Sequence, residues 1–200
     1  MSSMLESLAG QLLKDQLPEI TQQLGADEKA TGSALSAALP LLMGALARNA
    51  SKPDGAESLI GALQKKHDGG VLDDLTAHLR QPDLDDGNGI LRHMLGDRRG
   101  SVEQGISKTS GLDPAKVSKM LGMLAPVVMG ALGKAAKKDN MDAGSLSGML
   151  GKEHEEMKKA VPQMDVLGKL LDWDGDGEVA SDMLGGVAKG MLGKIFGRGR

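Results

Sequence analysis

Two apolar helical segments, each with a proline near its middle, recur in this chain at a fixed spacing, and that recurrence constrains the fold more than any other feature. Setting Asp113 against Asp27 aligns Leu121 with Leu35 and Pro126 with Pro40. It also aligns the tetrapeptide Met129, Gly130, Ala131, Leu132 with Met43, Gly44, Ala45, Leu46, all at an offset of 86 residues. One extra residue then shifts the register. At an offset of 87, Leu146, Gly148, Leu150, Lys152 and His154 match Leu59, Gly61, Leu63, Lys65 and His67. Each half, about residues 24–67 and 110–154, reads as a capped start, an apolar helix with a central proline, a turn, and a second helix ending near a histidine. Low complexity inflates matches between Ala/Leu/Gly-rich helices, but the paired proline and histidine positions argue against chance. The reading predicts two homologous helix pairs packed about a pseudo-twofold, each burying the face the other exposes.

The rest of the chain fits an all-α, multihelical bundle of about eight to ten short helices over residues 1–160. Leu5, Leu8, Leu12 and Leu13 lie at helical spacing, and Pro18 breaks or restarts that covering helix before Ile20 and Leu24. The run from Ala34 to Arg48 is apolar nearly all round, as a central core helix is. Its 14 apolar-run residues, Ala34 to Ala47, fall short of the roughly 20 a bilayer span needs and include Ser36 and Pro40, so they read as core. The next helix ends in Lys65, Lys66 and His67, cations suited to a helix C-terminus, and Gly69 and Gly70 terminate it. A short helix is expected from about Val71 to Leu79. Gln81 to Gly89 has the composition of an exposed loop, in which Asp83, Asp85 and Asp86 serve as solvated turn and cap residues. Another short helix follows at Ile90 to Leu95, then a turn or two at Ser101 to Lys108. At Asp113 and Pro114 a strong start signal opens a helix running to about Lys138, with Asp113 capping its free amides.

The chain is 40% hydrophobic but only 1% aromatic, with Trp173 and Phe196 as its only aromatic side chains, so Leu, Met, Ala and Val must fill the interior. Its 29 glycines lie in otherwise helical patterns, where each costs roughly 1 kcal/mol against alanine. Close helix contacts or many helix ends are therefore expected. A formal charge of −3 and no basic surface interleaved with aromatics disfavour nucleic acid as a partner. Cysteine is absent, which excludes disulfides, thiolate metal sites and cysteine nucleophiles. The first residues carry Glu6 and Lys14 and lack a basic start followed by an apolar run, so a cytoplasmic protein is the expectation.

The two P-x-x-M-G-A-L segments (Pro40 to Leu46, Pro126 to Leu132), GILRHMLG at Gly89 to Gly96, and LLDWDGDGEVASDMLG at Leu170 to Gly185 carry a resemblance. In this order they resemble the bacterial proteins grouped as domain of unknown function 937, over roughly residues 4–150, with the acidic loop and glycine-rich tail often appended. The resemblance implies an all-helical bacterial protein of no established activity, and it supplies no catalytic residues.

Residues 161–200 hold the chain's one recognisable piece of site chemistry. Asp172, Asp174 and Asp176 alternate, Gly177 follows where a cation-wrapping loop must turn sharply, and Glu178 stands where such a loop offers a carbonyl. Calcium takes six to eight oxygens at flexible geometry, which this spacing supplies. The twelfth position, normally a bidentate Glu, is Met183, and the nearest acid is Asp182, one residue early. The alternative is a plain acidic turn capping the last helix. With calcium bound through Asp172, Asp174, Asp176, Glu178 and Asp182, a single unpaired EF-hand-like loop is expected to act as a structural clip, since sensor loops usually work in pairs.

Beyond it, Met183, Leu184, Val187, Met191, Leu192, Ile195 and Phe196 form one helical stripe, with Lys189 and Lys194 outside it. Such an amphipathic helix suits a core, self-association, a protein partner, or an anionic membrane surface reached through residues 183–196. His154 with Glu155 and Glu156 lacks the second histidine of a zinc-protease helix, because Lys158 stands four residues on. His67, His78 and His93 show no ligand spacing. With no nucleophile, P-loop or dinucleotide motif in context, the expected function is a non-enzymatic binding or interaction module with calcium as a structural ion. The alternative is a peripheral membrane or envelope-associated protein anchored by the C-terminal helix.

Overall fold

The pairing of helix starts and stops read from the sequence can be followed in a computed structural model, which describes residues 4–160; all structural statements below concern these residues. They are all-helical, with no strand among them. A first helix, α1 (Met4–Gln11), passes through a wider π turn at Leu12–Gln16 into α2 (Leu17–Leu24). Pro18 has no N–H to give the carbonyl four residues back, so the ladder opens here and resumes after it. Gly25 ends α2 in the left-handed conformation at φ 53°, a geometry that suits glycine.

The core is organised by α3 (Glu28–Ala50) and α8 (Pro114–Lys138). Both are long, 23 and 25 residues; α8 has the extent expected of it, whereas α3 is longer than the short helices expected elsewhere. Both are apolar and long enough to cross a membrane, yet 72% and 78% of their apolar stretches are buried within the bundle. Asp27 begins α3 as the sequence suggests, its carboxylate accepting the Ala30 amide at 2.9 Å. Asp113 does not cap α8 in this way: it makes no side-chain bond to the first amides, and the start falls to Pro114, whose fixed φ and missing N–H suit the first turn.

Around these two, α4 (Pro53–Lys66), α5 (Leu75–Arg80), α6 (Leu84–Leu95), α7 (Arg99–Ser110) and α9 (Ala143–Ala160) complete the bundle. Helix α6 lies along α8, α7 packs on α3 and α8, α9 lies chiefly against α3 and α4, and α4 also packs across α8. The interior is leucine, methionine, alanine and valine, with Leu35, Leu39, Leu42, Met120, Met123 and Leu124 almost wholly buried. Thr31 is buried too, but its hydroxyl donates to the Asp27 carbonyl at 2.8 Å, so its polarity is satisfied.

A proline and two glycines meet where α6 crosses α8. Pro126 lies within α8 and cannot donate to the Gly122 carbonyl one turn back. That carbonyl faces the Cα of Gly87 in α6, so closely that a Cβ on Gly87 would overlap its oxygen. Glycine thus lets two backbones touch, and the Cα–H of Gly87 takes the place of the missing donor. Gly133 makes the same kind of contact with the His67 carbonyl. The close helix contacts expected from the glycine content are therefore present, at particular residues.

Three local expectations change. The segment from Leu84 to Gly89 is helical rather than a loop, because Asp83 accepts the Asp85 and Asp86 amides at 3.1 and 3.0 Å and Gly87 is seated against α8. The turn or two expected at Ser101 to Lys108 is a 12-residue helix, α7, held by buried Val102 and Ile106. The helix expected at Val71 to Leu79 is a 3-10 turn, Gly70–Leu72, followed by α5. In the two aligned halves, α4 stops at Lys66 beside His67, whereas α9 runs past His154 to Ala160.

Candidate functional site

A groove of about 670 Å3 opens between α4 and α6, with α3 and α8 beneath it. Leu46 of α3, Leu59 of α4, Ile90 of α6 and Met129 of α8 form its floor, and all four are buried. Each arrives there through the apolar spacing of its own helix. The rim is polar: Asp54, Lys66 and His67 come from α4 and its end, and Asp85, Asp86 and His93 from α6.

Local structure explains these rim charges. Asp54 is in the first turn of α4, and Asp85 and Asp86 are in the first turn of α6, where the positive end of the helix dipole favours carboxylate anions. Lys66 stands in the last turn of α4, where a cation is favoured for the opposite reason. His67 is half-buried, and burial holds its pKa below the usual imidazole value, with Lys66 pushing the same way and Asp86 opposing them. Its ring is therefore held toward the neutral form, and the rim sets three carboxylates against one ammonium and a second imidazole, His93.

A smaller hollow of about 350 Å3 lies on the other side of α4, lined by Ile60, Leu63, Gly133, Ala136 and Met141. The Asp68–Lys137 ion pair at its edge spans 3.4 Å, with both side chains largely exposed, so it contributes little. The Gly70 amide, then Lys137, holds the Asp68 carboxyl below its ordinary range.

Among the described residues no group of three or more histidine, aspartate or glutamate side chains is placed to hold a metal ion. His67 and His93 share the groove, His78 bonds the Met123 carbonyl at 3.2 Å, and His154 lies in α9. The calcium-loop residues Asp172, Asp174, Asp176, Glu178 and Asp182, and the stripe at 183–196, fall outside the described residues.

The sequence reading missed the groove. Its walls and floor come from segments around residues 46, 59, 90 and 129, and half of one wall, Leu84 to Gly89, has the composition of a loop. A usable signal was present: Asp83 followed by Leu84, Gly87, Ile90 and Leu91 has the cap and spacing of a helix start.

No curated protein matches the chain, and no solved structure does. The family model described as bacterial protein of unknown function (DUF937) matches residues 6–135. That span takes in both P-x-x-M-G-A-L segments and the whole groove, and the chain belongs to this bacterial family.

Proposed function

We propose that the protein is a non-enzymatic binding module whose ligand lies in the groove between α4 and α6. The observation that carries this reading is the groove's combination of a preformed, buried apolar floor with a few converging polar groups, the usual make-up of a binding pocket. Its volume falls within the roughly 300–1,000 Å3 range of small-molecule sites.

Native mass spectrometry of full-length protein taken gently from its cells tests the reading. A small-molecule adduct is expected on the wild type and should be lost in Ala62→Trp, which fills the groove from its half-exposed wall. Identical spectra for the two proteins would sink the proposal.

The finer features fit the same picture. The two helix pairs, α3 with α4 and α8 with α9, read as products of a duplication, supported by Pro40 and Pro126 lying inside the two long helices. The loop at Asp172, Asp174, Asp176, Glu178 and Asp182 reads as a calcium clip that directs the stripe at 183–196 toward a partner, supported by the alternation of its carboxylates. Titrating calcium into the metal-free full chain should change Trp173 emission and give saturable heat. A flat response by both measurements at millimolar calcium rules the clip out.

A further inference from the structure

We infer that the groove between α4 and α6 takes a small amphiphile with a cationic head, a single-chain alkylammonium in chemical type. This rests on the binding-module reading and adds the ligand's class.

The volume decides first between a peptide and a small molecule. At about 670 Å3 the groove has the size of a small-molecule site. An alkyl chain fits. The floor of Leu46, Leu59, Ile90 and Met129 offers aliphatic and thioether surface and no aromatic face. Flat aromatic ligands gain less there than a flexible chain, which can follow leucine and methionine side chains.

The rim decides the sign of the head group. The three carboxylates of Asp54, Asp85 and Asp86 outnumber Lys66 and the His93 imidazole together, and burial holds His67 toward its neutral form. Asp86 is only half exposed and stands across the groove from His67, close enough to act on it electrostatically. A cation over the floor therefore meets a net negative rim, in which Asp86 is partly shielded from water and Asp54 and Asp85 are exposed. An anionic head of the same size meets the same carboxylates as repulsion. The capping of α6 falls to Asp83, which accepts the Asp85 and Asp86 amides.

The test is isothermal titration of the full-length protein at pH 7.5 with octyltrimethylammonium, octanoate and 1-octanol, each below its aggregation threshold. Saturable one-to-one binding of octyltrimethylammonium is expected, with octanoate at least tenfold weaker. In the double variant Asp85→Asn/Asp86→Asn the cation's affinity should fall about tenfold, the effect of losing two partly screened ion pairs, while 1-octanol is unaffected. Ala62→Trp should abolish binding of all three, and the asparagine pair keeps the test decisive if that variant fails to fold. Equal binding of the three compounds, or an unchanged cation affinity in the asparagine pair, overturns the cationic class and leaves the groove a binding site. If none binds, the cationic class falls, while a native adduct that Ala62→Trp removes still stands for the binding-module reading.

Discussion

Alanine at Gly87 should destabilise the helical domain by about 3 kcal/mol, whereas alanine at Gly89, two residues further along the same helix, should stabilise it by up to about 1 kcal/mol. The two glycines have the same chemistry and the same helix, and differ in what a methyl group would meet. At Gly87 it would strike the Gly122 carbonyl oxygen, a backbone atom that α8 cannot swing aside; at Gly89 nothing lies within 4 Å. The first substitution must push α6 away from α8, separating the most extensively packed pair of helices in the domain. The second removes the conformational freedom of an unfolded glycine at no steric cost. Urea denaturation followed by far-ultraviolet circular dichroism reads both. Changes of the same sign at the two positions would show that the crossing is not held by backbone contact.

Leu35→Ala should cost about 3–4 kcal/mol and lower the melting temperature by about 10 °C in a domain of this size. Leu35 is wholly buried on α3, the helix on which α7 and α9 chiefly pack. Removing its isobutyl group loses transfer energy and leaves a cavity. Partial closure of that space by a flexible aliphatic core keeps the loss below the top of the usual range. Leu35→Met, which preserves volume, should cost less than about 1.5 kcal/mol. A Leu35→Ala loss no larger than the Leu35→Met loss would mean that the core near Leu35 collapses freely around the gap.

Both effects depend on parts of the fold that were unequally legible in the sequence. Helix α3 could be read almost residue by residue, since Asp27, the unbroken apolar run and Pro40 are local signals and the structure uses them locally. Helix α8 was equally visible, but its start was assigned to the wrong atom: Pro114 supports the first turn, and the Asp113 carboxylate does not cap it. Helix α6 was half missed because Asp85, Asp86, Gly87, Asn88 and Gly89 have the composition of a loop. What makes them helical is tertiary, namely the seat of Gly87 on Gly122 and the Arg99 guanidinium, which bonds Asn88 at 2.7 Å and Ser118 at 2.9 Å and so ties the segment to α8. Helix α7 was underestimated for a similar reason. Its only strongly apolar positions, Val102 and Ile106, make a single i, i+4 pair, too sparse to mark a helix until both are seen buried. The groove was illegible altogether, because no periodicity announces that residues 46, 59, 90 and 129 share a floor.

The choice of leucine, methionine, alanine and valine to fill the interior has an optical consequence. Residues 4–160 contain no tryptophan, tyrosine or phenylalanine, so the bundle neither absorbs appreciably near 280 nm nor fluoresces. Its unfolding is silent to the most common spectroscopic assay and has to be followed through the peptide bond. Trp173, in the acidic segment Asp172 to Asp182, is the sequence's single tryptophan, and its emission is read without a background from the helical core.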